Sequence, residues 1–296
     1  RGEEFSRPFD DVLAEVAAKN DALLKHHLRD EGPNILPALS EALTLARESG
    51  AKTSISHFKV LGKGSWPHFN RAIIMLEQAL KDSLSVSTDI FPYTRTGSNL
   101  YLLLPDWALT GGRLNIMKNI TDPATRQNVI AEISKLTLHY ERMIISSTLR
   151  DPVAIGKTIA ELSENTGMPP EELILKLLLV NDLEVSIFNE VIHQPHLDAL
   201  ARKFYAHFAT DGFGLAAGSP KAELPHPRSF GAMPKALNYF VKTRAHLTWE
   251  EAIYKMTKFP ADTAGLKDRG GIGKNYFADI TVFDPESVAD NADYSN

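Results

Sequence analysis

The sequence predicts an α/β protein on parallel strands, within the size range of one barrel. Short β-branched or apolar runs alternate with stretches whose apolar residues recur at helical spacing. The connecting loops are short, as parallel strands joined by right-handed crossovers require. Two of the runs end on histidines, His27 and His57, thirty residues apart, the length of one strand–helix unit. Ligands of such sheets sit beyond the carboxyl ends of the strands. The two imidazoles therefore occupy equivalent ends of neighbouring strands, where both can reach one metal ion. Taken alone, His57 would be a strand-end histidine bonded to a nearby loop; its register with His27 is what points to a metal.

The elements follow in order. Helical spacing covers 8–20 through Pro8, Val12, Leu13, Val16 and Ala17. A strand over 22–27 closes on the charged turn His27-Leu28-Arg29-Asp30-Glu31-Gly32. Asn34 is placed to cap the next helix, whose face carries Ile35, Leu39, Ala42, Leu43 and Ala46 and which Gly50 stops. The strand over 52–57 follows, then a helix with Phe69, Ile73, Leu76 and Leu80 on one face, then a strand over 84–91 closed by Pro92-Tyr93. From about 100 to 181 the rhythm loosens. Helices are expected at 123–138, 152–164 and 170–180, around a short strand at 143–146. Such an excursion reads as a lid inserted over the active-site end or as a helical subdomain without a gating role.

Residues 184–190 and 204–209 read as further strands, with a short helix over 196–203 between them. The latter strand runs into Thr210-Asp211-Gly212, where Asp211 is either a turn residue or a group at a metal. A glycine-rich loop at 212–219 leads to His226-Pro227-Arg228. Helices follow near 234–242 and from Thr248, where Thr248 and Glu251 form a capping box. Residues 277–283 read as a strand outside the rhythm.

Composition excludes several classes. A net charge of −5 and no Lys/Arg run longer than two leave no footprint for nucleic acid. No apolar run approaches the roughly 18 residues of a membrane span. Cysteine is absent, so a metal must be held by His, Asp, Glu or a modified lysine. The lack of cysteine and of a signal-peptide pattern fits a cytoplasmic location.

A set of short motifs carries a resemblance. His27-Leu28-Arg29-Asp30-Glu31-Gly32, Ser56-His57-Phe58-Lys59 and Asp89-Ile90-Phe91-Pro92-Tyr93 come first. Thr210-Asp211-Gly212, His226-Pro227-Arg228-Ser229-Phe230-Gly231, Lys255-Met256-Thr257, Asp268-Arg269-Gly270 and residues 278–285 follow. In that order they resemble the D-aminoacylases, the N-acyl-D-amino-acid deacylases of the amidohydrolase superfamily, over roughly residues 22–285. The resemblance implies a metal-dependent (β/α)8 barrel with a small β-sandwich built from both chain ends. It implies zinc, one or two ions, on His27, His57 and Asp211, with Asp211 as general base and acid. It implies Lys59 and Arg228 on the carboxylate of a small N-acyl amino acid substrate, with Tyr93 and His226 beside it.

The family's early strand with its His-x-His motif, and the metal-bridging residue after it, have no counterpart in this sequence. The expectation is therefore the C-terminal half of the barrel over 1–265, with the inserted lid at about 100–181, and a truncated sandwich strand over 266–296. The missing N-terminal half is the expected partner. Phe91 stands where the family usually carries tyrosine. Two other readings stay open: a non-catalytic homologue serving as a binding or assembly module, and a dihydroorotase-like or hydantoinase-like hydrolase. Lys59 and Arg228 favour a carboxylate-bearing substrate over the last.

Overall fold

Parallel strands and a separate antiparallel sheet divide the chain. The computed structural model describes residues 7–136, 138–215 and 223–295. Helix α1 (Arg7–Lys19) leads into β1 (Leu23–His26), α2 (Ile35–Ser49), β2 (Lys52–Ile55), α3 (Phe69–Lys81) and β3 (Val86–Ile90). An inserted unit then runs from β4 (Arg95–Asn99) through α4 (Asp106–Leu109), α5 (Gly112–Thr121), α6 (Pro123–Ile133), β5 (Met143–Thr148), α7 (Ile159–Thr166) and α8 (Pro170–Val180) to β6 (Val185–Glu190). The chain resumes with α9 (Gln194–Ala201), β7 (Ala206–Phe208), α10 (Arg228–Ala236), α11 (Trp249–Met256) and α12 (Lys258–Thr263). No described helix is long and apolar enough to cross a membrane.

The first sheet has strand order β1-β2-β3-β7, all parallel. Its register sorts the side chains. Lys25 lies opposite Ser54, Ser54 opposite Ser87, and Asp89 opposite His207, so these polar residues share one face. Ile55, Thr88, Ile90 and Phe208 share the other. On that apolar side Ile55, Ile90 and Phe208 join Leu39 and Leu43 of α2 and Phe69, Ile73 and Leu76 of α3 in one core. The helical spacing read from the sequence is the face buried there.

The inserted unit has its own core, including Ile120, Ile133, Ile145, Leu178 and Ile187. Its sheet has order β4-β6-β5 and is antiparallel throughout. Residues 184–190, expected within the strand–helix rhythm, therefore belong to this second sheet. Their β4 partner, Arg-Thr-Gly-Ser-Asn, is too polar to read as a strand.

Other expectations shift locally. Asn34 makes no capping bond. Asp30 instead orders the turn before the helix, its Oδ1 accepting from the amides of Gly32 at 2.7 Å and Asn34 at 3.2 Å. The helix expected near 234–242 starts six residues earlier, at Arg228, and widens to a π-helical run over Leu237–Thr243. Pro234, inside α10, lacks the amide that a regular turn would use. The capping box of Thr248 and Glu251 is present, as is a second one in Thr158 and Glu161. Residues 277–283 run without a strand partner among the described residues, and Ile280 and Val282 stand exposed; strand geometry without a neighbour has no ladder to hold it. The glycine-rich loop is described only to residue 215, and its remainder lies outside the described residues.

Candidate metal centre

The carboxyl ends of β1 and β2 bring His27 and His57 together. His27 follows β1 directly. His57 leaves β2 in the left-handed region, with φ at 37°, a conformation uncommon for a residue with a Cβ. The buried Asp89 holds it there, its Oδ1 accepting from the His57 amide at 2.7 Å, while Lys25 pairs with its Oδ2 at 2.9 Å. His57 Nε2 and His27 Nδ1 then face each other at 2.9 Å, with the rings edge-on at 4.4 Å.

Glu31, on the turn after β1, completes the group. Its Oε1 lies 3.0 Å from His57 Nδ1 and 2.6 Å from Lys59 Nζ. His27, Glu31 and His57 are the residues that cluster with metal-ligand spacing among those described. Lys59 Nζ also approaches His57 Nδ1, at 2.8 Å, and donates to the His57 carbonyl at 3.1 Å. Nδ1 cannot both donate to Glu31 and accept from Lys59. A proton on Nδ1 bonds Glu31 and leaves Nε2 with a free lone pair directed at His27, the arrangement that orients a metal-binding imidazole. Burial works to raise the Glu31 carboxyl, but the His57 bond and the Lys59 charge outweigh it and hold it below the usual range. Burial lowers the Lys59 ammonium, against the opposing pull of Glu31 and Asp211.

The two imidazoles and one carboxylate are the donor types zinc accepts. Their ligand atoms lie within 4.8 Å of one another. The chemistry of this set fits a zinc ion, with further coordination positions left for groups outside it.

Asp211 stands apart from this cluster. It too is left-handed, with φ at 50°, and it pairs with Arg228 Nη1 at 2.6 Å. Lys59 and Arg228, both expected on a substrate carboxylate, are each matched to a carboxylate of the chain, so an incoming anion would share them with Glu31 and Asp211. The Phe91 ring lies near both, 5.9 Å from Lys59 Nζ and 4.9 Å from the Arg228 guanidinium.

His226, expected beside the substrate, has both ring nitrogens engaged. Nε2 donates to the Arg95 carbonyl at 3.0 Å, and Nδ1 accepts from the Arg228 amide at 3.1 Å. That pair of bonds needs the neutral imidazole. Burial, and then the Arg228 charge, press its pKa down to about 3. His226 is thus a brace for Arg228, with no ring nitrogen left for a ligand. Tyr93 is buried, and its hydroxyl has no hydrogen-bond partner among the described residues.

Sequence reasoning missed Glu31 and Asp89 as parts of the site. Glu31 lay within a quoted motif, four residues past His27, a spacing that could have marked it. Asp89 acts through its neighbour's backbone, which no sequence pattern shows.

The fold and site together are a parallel α/β sheet with histidines at adjacent strand ends. Relatives sharpen this. The chain is 27% identical to an N-acyl-D-glutamate deacylase of Alcaligenes xylosoxydans xylosoxydans over 95% of its own length and 49% of the relative's. It is equally identical to a D-aminoacylase of that organism over 91% of this chain and 47% of the relative. Among solved structures, the N-acyl-D-glutamate deacylase of Bordetella bronchiseptica complexed with zinc and a phosphonate inhibitor superposes with a TM-score of 0.75 at 23% identity, covering 96% of this chain and 51% of that one. A D-aminoacylase described as defining a novel subset of amidohydrolases gives 0.73 at 25% identity, over 96% and 52%. No protein-family profile matches. The chain is thus a homologue of the D-aminoacylases and shares the fold of the roughly half of their chain on which it superposes. It spans about half the length of the curated relatives it matches.

Proposed function

We propose that this chain is part of a zinc-dependent enzyme that hydrolyses the amide bond of N-acyl-D-amino acids. The observation that carries this reading is the convergence of His27 Nδ1 and His57 Nε2 at the ends of adjacent parallel strands, with Glu31 on the back of His57. His27 and His57 would hold the zinc, and Glu31 would fix the His57 tautomer or serve as a third donor. Bound there, zinc supplies Lewis acidity toward a carbonyl and lowers the pKa of water.

The chain's own groups supply the rest. Asp211 takes a proton from the attacking water and returns it to the leaving amine. Arg228, braced by His226, orients Asp211 and presents its remaining donors to a carboxylate. Lys59 adds a second positive charge near the Phe91 ring. Phe91 offers ring surface and no hydroxyl, so recognition at this corner is by charge and shape.

The test uses the natural protein at its full length. Zinc should be found by atomic emission, and N-acetyl-D-glutamate, N-acetyl-D-aspartate or a neutral N-acetyl-D-amino acid should be turned over in a zinc-dependent way. Zinc without turnover of any N-acyl-D-amino acid would support instead the non-catalytic homologue. That second reading has one observation in its favour: Lys59 and Arg228 are both charge-matched within the chain.

A further inference from the structure

Residues 288–294 lie beside Arg228, and nothing in the reading above uses them. Val288, Asp290, Ala292 and Tyr294 are partly buried, while the residues between them are exposed. That period of two is the mark of an extended segment laid along a surface. Asp290 pairs with Lys235 of α10 at 3.3 Å. A Cβ on Gly231, in the first turn of α10, would fall 3.0 Å from the Asp290 Cβ, 3.5 Å from that of Ala292 and 2.8 Å from the Tyr93 hydroxyl. Only glycine lets the segment and the helix approach so closely.

The segment ends in an aromatic corner. The Tyr294 ring lies 5.2 Å from His226, 5.4 Å from Phe188 of β6 and 6.4 Å from Tyr93. The Arg95 guanidinium of β4 sits over its face at 4.6 Å. A Cβ on Gly97, also in β4, would be 3.9 Å from Arg228 Nη2, so the strand backbone itself bounds that guanidinium. Tyr294 therefore touches the second sheet through Arg95 and Phe188, and touches the brace of Arg228 through His226. Its ring face also meets the Arg95 guanidinium charge.

We propose that Tyr294 is a positioning residue: through the strap 288–294 it holds the first turn of α10 against β4 and so fixes where the Arg228 guanidinium meets a carboxylate. The role of Arg228 in this statement rests on the deacylase reading above.

The test compares Tyr294→Ala, Tyr294→Phe and Asp290→Asn in the full-length natural protein. Tyr294→Ala is expected to raise KM for an N-acetyl-D-amino acid about tenfold and to lower kcat by clearly less than that, because the carboxylate contact of Arg228 is loosened more than its pairing with Asp211. Tyr294→Phe, which keeps the ring face, restores KM to within about twofold. A ligand-free readout runs beside it. Amide hydrogen exchange over 228–232 and 95–99 should accelerate about tenfold in Tyr294→Ala and not in Tyr294→Phe. Unchanged exchange and unchanged KM in Tyr294→Ala overturn the proposal. So does a fall in kcat equal to the rise in KM. Should the protein turn over no N-acyl-D-amino acid, the deacylase reading fails and exchange alone decides the strap. Should Tyr294→Ala not fold, Asp290→Asn loosens the other end of the strap and must accelerate the same amides; if it does not, the proposal falls.

Discussion

The parallel sheet and the inserted antiparallel unit are both well packed, yet they handle polar groups in opposite ways. In the parallel sheet, buried charge is gathered at the carboxyl ends of the strands: Asp89 under His57, and Glu31 between His57 and Lys59. In the inserted unit the interior is aliphatic, with Ile120, Ile133, Ile145 and Ile187 fully buried. Its ion pairs, such as Arg126 with Glu172 and Arg113 with Asp182, stay partly in solvent. Buried charge is costly unless matched and bonded. A protein concentrates it where chemistry needs it and keeps it away from where only cohesion is needed.

That contrast can be broken or sharpened by substitution, from the largest expected effect down. His57→Asn removes an imidazole from the strand-end cluster and should abolish zinc binding in the full-length protein, read by atomic emission. Full zinc occupancy in that variant would move the metal elsewhere. Asp89→Ala leaves the His57 amide without its acceptor and Lys25 without its partner. It should cost about 2–3 kcal/mol in denaturant unfolding and weaken zinc about 10–100-fold. Ile187→Ala should cost a comparable 2–5 kcal/mol, approximately. The loss should fall on the inserted unit, with zinc content unchanged; reduced zinc would show that the two regions are coupled.

Acidification gives a subtler effect. The folded pKa of His226, about 3, lies below the roughly 6.5 of a free imidazole. The unfolded chain takes up a proton as pH falls through that value, while the folded chain stays neutral until far lower. The stability tied to neutral His226 is therefore complete above about pH 6.5 and is lost progressively toward pH 3. Urea titrations at stepped pH should show this loss, and His226→Gln should flatten it. Smallest of all, Thr158→Ala in the inserted unit and Thr248→Ala beside the parallel sheet each delete a capping box of the same geometry. Each should cost about 1 kcal/mol. Equal costs in the two regions would confirm that they differ in interior polarity and not in helix chemistry.

Much of the parallel sheet was legible in the sequence because its signals are local. Gly50 ends α2 in the left-handed conformation expected of a stop, and in the inserted unit helix 170–180 likewise lies where its Pro-Pro start and apolar run place it. Residues 277–283 show the converse. A run of β-branched and aromatic side chains licenses a strand, but only a neighbouring edge makes one. The antiparallel sheet was obscure because β4 has nothing apolar to announce it. Its pairing with β6 is set by partners about ninety residues away in sequence. Within the candidate site, the strand-end positions of His27 and His57 were legible, while Lys59, Asp211 and Arg228 were named as expectations. Their pairing was not legible, since matching Lys59 to Glu31 or Arg228 to Asp211 depends on how loops fold back across strand ends.

The place where the inserted unit joins the sheet bears on how the molecule assembles. Strands β3 and β7 pair directly, although the whole antiparallel unit and α9 intervene between them. Closing a loop that long in an unstructured chain carries an entropic penalty that grows slowly with length. Here the two ends of the unit run side by side, with Arg95 opposite Glu190 and the Ile192 amide bonded to the Thr94 carbonyl at 3.0 Å. Once β4 and β6 have zipped, the chain between β3 and α9 behaves as a short bridge. The native order of events would then be modular, with the insertion folding on itself first and β7 docking afterwards. The same junction is also where the unit grips the rest of the chain, since Arg95 and Phe188 meet His226 and Tyr294, so its removal would take those contacts with it.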